Sequence, residues 1–271
     1  MYKCAIFTPT RLPGIDVTIE SLKRQKVSPD IEIRWIVADE LHGKRSSPKI
    51  LNRVLYSAWR EPKREGYERN LAASYNRAIM EARRYGADCL ITLQDYIWVP
   101  EDGVQRFIEV TKYLDKQNIK HLLTGICHIA DEPKVTSDWN LDNPDSIFPD
   151  TSYAKDKPQR LWWEDVRKVN NANDQTNLVS VSPVEWEANW GLISKDALHD
   201  ERLMYDEDFD KYVAYENQDY SFKANELGYQ TIVDIDNEVI SFPHKQYWPE
   251  QEAHEAPLTE RNRLLLKDKY E

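Results

Sequence analysis

The sequence predicts an α/β fold, a mostly parallel central sheet flanked by helices in a single composite domain, on three observations. Short apolar runs alternate with segments of helical periodicity through the first 130 residues, the pattern of strands joined by helical crossovers. Residues 89–93, CLITL, are apolar without interruption, as strands buried on both faces are. A second ordered block from residue 186 returns to the same alternation after a long irregular stretch.

In chain order, residues 2–7 read as the first strand and 8–14, TPTRLPG, as the turn after it. Val17, Ile19 and Leu22 share one face of a helix predicted over 16–25. A second strand covers 31–38 and ends at Asp39. Leu71, Tyr75, Ala78, Ile79 and Ala82 form the stripe of a helix over 68–85, which Gly86 terminates. The strand 89–93 leads straight into Gln94-Asp95-Tyr96, and Pro100 precedes an amphipathic helix over 101–114. Residues 122–129 read as a further strand. From 131 to about 183 the periodicity fades into a stretch rich in Asp, Asn, Pro and Trp, longer than an idle loop in a compact domain. The second block then runs through 186–194, a helix start near Lys195, an acidic turn at 205–210, a helix over 216–227 closed by Gly228, and a strand over 231–235. The charged tail from 250 reads as peripheral.

With 271 residues, 41% of them hydrophobic, the chain can bury one sizeable core. No apolar run approaches the roughly 18–20 residues that cross a bilayer, and the opening MYKCAIFTPTR lacks the regions of a signal peptide, so the expectation is a cytoplasmic protein without a membrane span. Cys4, Cys89 and Cys127 lie far apart inside apolar segments, which predicts free buried thiols and neither a disulfide framework nor a zinc site. A net charge of -11 and a pI near 5.2 argue against nucleic acid as a partner, since that affinity draws on Lys and Arg neutralising phosphates. The local exception is Lys44, Arg45, Lys49, Arg53, Arg60, Lys63, Arg64 and Arg69, readable either as a solvated face or as a site for a diphosphate.

In open parallel sheets ligands bind beyond the carboxyl ends of the strands. Three polar groups follow predicted strands directly: Thr8-Pro9-Thr10-Arg11, Asp39, and Gln94-Asp95. A nucleoside diphosphate needs a carboxylate or amide for base and ribose, and a cation on the diphosphate oxygens; Asp39 and Asp95 are residue types that can meet the first need or hold the cation for the second.

Read as a whole, residues 5–100 resemble glycosyltransferase family 2: a strand with TPTR, the helix TIESLKRQ, a strand ending in VADE, the helix NLAASYNRAIMEA, and CLITLQDYIWVPED in the place of the family's DxD motif. The resemblance implies the GT-A fold, with a nucleotide-sugar-binding half over 1–130 and an acceptor-binding and catalytic half over 131–271 that contains the irregular insertion at about 131–183. It implies that Asp39 contacts the base, Gln94 the ribose side, and Asp95 a divalent metal, Mn²⁺ or Mg²⁺. Arg11, Arg69 and Lys63 are candidate diphosphate contacts, each equally readable as a surface charge, and Thr8, Pro9, Thr10 and Asn76 join the donor-binding set. Gln94 and Tyr96 stand where the family carries acids, so one carboxylate remains in the motif and its metal affinity should be weak or shared.

The second block resembles the same family and also the carboxyl-terminal halves of galactosyl- and polypeptide N-acetylgalactosaminyltransferases. NWGLISKDAL corresponds to a GGN-type segment. Phe209-Asp210 and Glu216-Asn217-Gln218-Asp219, with the later Gly228-Tyr229, follow the family's acidic pattern, and His244 in VISFPH stands where a metal-binding histidine completes the site. Asn217 replaces the acid that serves as base in inverting members, and an amide takes no proton. Glu216 and Asp219, three apart on one helix face, are the alternatives for that role, and the stereochemical outcome stays open. Trp139, Trp162, Trp163, Trp186 and Trp190 crowd the irregular stretch and its exit, and Trp190 with Gly191 is expected to line the acceptor pocket, because aromatic faces stack on sugars.

The function expected is therefore a metal-dependent, non-processive glycosyl transfer from a nucleoside diphosphate sugar, with UDP the nucleotide that the resemblance implies, to a hydroxyl acceptor, a saccharide or another. Without membrane spans or a QxxRW signature, a polysaccharide synthase does not fit. Two readings from other classes stay open: a sugar nucleotidyltransferase, although TPTRLPG has one glycine where such enzymes carry a Gly-rich loop, and an inactive sugar-nucleotide-binding module.

Overall fold

Three parallel pairings build the first half of the sheet. β1 (Tyr2–Thr10) lies between β2 (Ile31–Asp39) and β4 (Cys89–Leu93), and β2 carries β3 (Leu55–Trp59) on its other side. In the computed structural model the described residues are 1–10, 15–39, 55–59, 64–95, 97–129, 177–212, 214–241 and 249–270. The remaining strands are β5 (Ile97–Trp98), β6 (His121–Ile129), β7 (Leu178–Val181), β8 (Trp190–Ser194) and β9 (Gln230–Ser241). Across the sheet the order is β3-β2-β1-β4-β8-β6-β9-β5, and β7 also pairs with β9.

The sheet is mixed, which corrects the expectation of a mostly parallel one. β8 runs antiparallel to both β4 and β6, and β5 and β7 run antiparallel to β9; in the second half only β6 and β9 are parallel. Direction leaves no trace in the pattern here. WGLIS is buried at all five positions, as CLITL is, because each strand has both faces covered whichever way its neighbours run.

Helices cover both faces. α2 (Leu71–Tyr85), α4 (Lys195–His199) and α5 (Glu216–Glu226) pack on one side through Tyr75, Ala78, Ile79, Leu198, Tyr220 and Ala224. α1 (Ile15–Lys23) and α3 (Gly103–Lys116) pack on the other through Ile19, Leu22, Val104, Phe107 and Ile108. The stripe predicted for α2 is its buried face, and Gly86 ends it at φ 71°, the left-handed conformation that glycine takes without steric cost. Cys4, Cys89 and Cys127 are buried free thiols, as expected. Among the described residues no helix is long and apolar enough to cross a membrane.

Other segments differ from their expected form. Thr8 to Thr10 continue β1 instead of turning, and β3 rises inside the basic stretch. The strand expected over 231–235 extends to Ser241, long enough to pair with β6 on both sides of a register shift and with β7 and β5 toward its two ends. The tail expected to be peripheral is α6 (Pro249–Tyr270), whose Asn262 is fully buried. Most of the irregular stretch, with Trp139, Trp162 and Trp163, lies outside the described residues; its last part forms β7.

Candidate active site

The carboxyl ends of β1, β2 and β4 fall side by side. Thr10 and Asp39 are register partners at the last positions of β1 and β2, and the chain leaving β4 brings Asp95 to Thr10, whose hydroxyl donates to Asp95 Oδ2 at 2.5 Å. Both Thr10 and Asp95 are buried. Two neighbours brace the turn that carries Asp95. The Thr18 hydroxyl of α1 donates to the Gln94 carbonyl at 3.1 Å, and the Gln94 amide donates to the Asn189 carbonyl at 3.1 Å. Leu93 faces Trp190 in the antiparallel β4–β8 register, so the QD turn and the NWG segment, about a hundred residues apart, lie against one another.

Glu216 enters from the second block as the first residue of α5. The two residues before it, Ala214 and Tyr215, have φ values of 67° and 71°. Neither is glycine, so each holds a left-handed conformation at a cost of roughly 1–2 kcal/mol, the kind of stored strain that clusters at functional sites. Glu216 is 6% exposed. Burial first, then the negative charges of Asp210 and Glu187, push its carboxyl up to about 7, against a bond from its own backbone amide. The Asn217 side chain donates to Glu216 Oε1 at 3.0 Å. Glu216 in turn helps to raise Tyr75 and Tyr205, both already driven up by burial, while Gln94 pulls Tyr75 the other way. The candidate base and the QD turn thus bear on the same phenol.

Beneath Glu216 runs an aromatic column. Tyr75 stacks on Tyr205 with ring centres 4.5 Å apart, Tyr205 on Tyr220 at 4.4 Å, and Phe7 meets Tyr75 edge-on at 5.0 Å. The turn carrying Tyr205 is locked to α2. Asn76 donates to the Tyr205 carbonyl at 3.0 Å and accepts from its amide at 2.7 Å, and Asp210 accepts from the Ala72 and Ala73 amides at 2.8 and 3.0 Å. Arg64 closes the lock on Asp210 at 2.6 Å and on Glu207 at 2.7 Å. Asp210 thereby caps α2 from across the fold; Asn70, adjacent in the chain, makes no side-chain cap.

The candidate residues read from sequence take several places. Thr10, Gln94, Asp95 and the end of β2 at Asp39 come together, and Pro9 sits one residue behind on β1. Thr8 instead points into the core, where its hydroxyl accepts from the Trp35 indole at 3.0 Å. Asn76 is a clamp on the Tyr205 backbone, and the Arg69 amide donates to the Asp210 carbonyl at 3.0 Å. Asp219 is fully buried and committed to α6, accepting from Lys269 Nζ at 2.6 Å and from the Tyr270 hydroxyl at 2.8 Å. Arg11, Lys63 and His244 lie outside the described residues, as do Lys44, Arg45, Lys49, Arg53 and Arg60.

Trp190 and Gly191 require a correction. Trp190 is fully buried, stacks on Phe107 at 4.5 Å, and satisfies its indole N–H on Asn237 Oδ1 at 3.2 Å. Gly191 leaves room for the Glu187 carbonyl, 2.8 Å from where a Cβ would stand. Both are core packing, since a tryptophan beside a glycine in an apolar run reads alike in a pocket and in a core. Trp186 is also buried, donating to the Leu123 carbonyl at 2.9 Å. Among the described residues no three His, Cys, Asp or Glu side chains converge to hold a metal.

Sequence reading passed over Glu187, Tyr205, Tyr220 and Asn262. The aromatic spacing of Tyr205 and Tyr220 carries no signal apart from core formation, Glu187 lies between Trp186 and Ala188 in a short irregular segment, and Asn262 is flanked by Arg261 and Arg263.

No protein-family model matches the chain, and no curated protein matches it in sequence. Its fold is similar to that of solved structures of S. aureus TarS. TarS itself aligns over 90% of this chain with a TM-score of 0.51 at 11% identity, and this chain spans 37% of the TarS chain. The TarS 1-349 piece aligns over 91% of this chain with a TM-score of 0.50 at 10% identity, covering 62% of that chain. The same piece in complex with UDP-GlcNAc aligns over 89% with a TM-score of 0.51 at 10% identity, covering 59%. At such identity the likeness is one of fold: the chain has the mixed α/β architecture of TarS.

Proposed function

We propose that the chain transfers a sugar from a nucleoside diphosphate, UDP in the first instance, to an acceptor hydroxyl. The observation that carries this reading is Glu216, a buried carboxyl poised near neutrality that acts on the same Tyr75 phenol as Gln94, the neighbour of Asp95. A group that changes protonation near pH 7 is suited to take a proton from a hydroxyl as it attacks. Support comes from the fold, shared with a structure that holds UDP-GlcNAc.

In this reading the carboxyl ends of β1, β2 and β4 receive the nucleotide, with Asp39 at the base and Gln94 at the ribose. Glu216 faces the acceptor and accepts its proton, since Asp219 is tied to Lys269 and Tyr270. The left-handed Ala214-Tyr215 pair leads the backbone into Glu216, whose carboxyl accepts from Asn217. A divalent cation, when bound, would neutralise the departing diphosphate; Asp95, with His244, is the residue set to hold it. The single carboxylate of the QDY turn, already accepting from Thr10, fits a weakly held ion.

The test is incubation of the protein with UDP-GlcNAc, with and without Mn²⁺, following UDP release and the melting temperature. Slow release of UDP and a rise in melting temperature are expected, because a ligand that binds the folded state stabilises it by mass action. Asp95→Asn should abolish the Mn²⁺-dependent part of that rise. If neither UDP-GlcNAc nor other nucleoside diphosphate sugars shift the melting temperature, the proposal fails.

A further inference from the structure

We propose that Asn262, on the C-terminal helix α6, is the positioning residue of Glu216: its carboxamide donates both hydrogens to the backbone that presents Glu216, one to the Phe209 carbonyl at 2.8 Å and one to the Ala214 carbonyl at 2.7 Å. Among residues 257–270 it is the sole buried side chain, on a helix whose neighbouring positions 261, 263 and 264 are exposed. A helix that docked for apolar burial alone would bury its leucines, yet Leu264 is 46% exposed, Leu258, Leu265 and Leu266 are only partly buried, and the amide occupies the interior.

The position of the two carbonyls is the informative feature. Phe209 belongs to the acidic turn that caps α2, and Ala214 is the first of the two left-handed residues before Glu216. One planar amide with two donors spans these points and sets their separation. Lys269 and Tyr270, about two turns beyond, fasten the end of the same helix to Asp219 of α5, and Lys269 also pairs with Asp206 at 2.9 Å. α6 is thus bonded to both sides of the strained Ala214-Tyr215 pair, through Phe209 and Asp206 before it and Asp219 after it. The clamp selects the conformation in which Glu216 points into its buried place; its bearing on catalysis rests on the transferase reading above.

The experiment uses the full chain with carbon-labelled glutamate, the Glu216 carboxyl signal being identified by its loss in Glu216→Gln. In the wild type that carboxyl should titrate near 7. In Asn262→Ala it should fall toward 4.5, its ordinary value, and the amide of Asp219, bonded to the Tyr215 carbonyl at 3.0 Å, should exchange with solvent at least tenfold faster, while the amides of β1 and β4 keep their rates. Asn262→Ser keeps one donor and should give an intermediate shift; it also serves as the second variant should the alanine fail to fold. Adding Ala214→Gly to Asn262→Ala should restore part of the titration, because glycine holds φ 67° without the clamp. Wild-type titration and exchange in folded Asn262→Ala or Asn262→Ser would overturn the proposal. These readouts need no substrate, so an inactive wild type would remove the transferase reading and leave the clamp standing, and an active wild type whose Glu216 ignores Asn262 would do the reverse.

Discussion

At Glu216 the fold keeps a carboxyl almost out of water and adds the charges of Asp210 and Glu187, which favours its protonated form. The folded value, about 7, lies above the ordinary 4.5, so the native state holds this proton over a range where the unfolded chain has released it. Stability from this group is therefore lost as pH rises between those values, and the loss is complete above the folded value. Glu216→Gln, which cannot ionise, should match the wild type near pH 4 and exceed it at pH 8 by on the order of 3 kcal/mol in urea unfolding. The same substitution should cut sugar transfer by roughly 10²–10⁴-fold, and the wild-type rate should climb with pH through about 7. That Thr10, Gln94 and Asp95 lie together was legible in the sequence, because polar residues at the ends of neighbouring strands are brought side by side by topology. Glu216 and Asp219 were legible as two alternatives; that Asp219 is tied to Lys269 and Tyr270, about fifty residues further along the chain, was not.

At the scale of elements, α2 announced itself by its stripe and its terminal Gly86, yet its amino end depends on a residue that no local pattern names. Asp210 accepts from the Ala72 and Ala73 amides while bonded to Arg64. Burial raises its carboxyl and the helix amides and Arg64 oppose that rise, so the cap works as a charged group held against desolvation. Asp210→Ala should cost about 1–2 kcal/mol and speed amide exchange in the first turn of α2, with α3 unchanged. Sequence reasoning recognised 205–210 as an acidic turn and gave it a place in a motif. Its attachment to α2 came only with the coordinates, because capping acts through space and the partners are 138 positions apart. The C-terminal helix was missed for a related reason: apart from one buried amide its described side chains face outward or lie at the margin, so it has no apolar stripe to read.

Over the whole molecule, β8 decides how the halves join. It sits between β4 and β6, so a chain ended at residue 130 would leave those two strands without the partner between them, and the division expected at that point cuts a continuous sheet. Gly125 marks the same seam. The β6–β9 register shifts there, and a Cβ on it would stand 2.3 Å from Trp190 Cδ1, so the strand's irregularity makes room for the tryptophan of β8. Calorimetry of the full chain should give one cooperative transition, and residues 1–130 alone should lack fixed tertiary packing; two separate transitions would contradict this account. By itself the sequence determined the α/β class, the strands β1, β2, β4 and β6, the buried face of α2 and the cluster of polar residues at the strand ends, because each follows from local periodicity or from a residue's place next to a strand. The tertiary structure alone decided the antiparallel course of β8, the core role of Trp190, the bonds that tie Asp219 to α6 and those from Asn262 to the Phe209 and Ala214 carbonyls. Those depend on which distant segments meet, and a hydrogen bond or an aromatic contact between remote positions leaves no period in the chain.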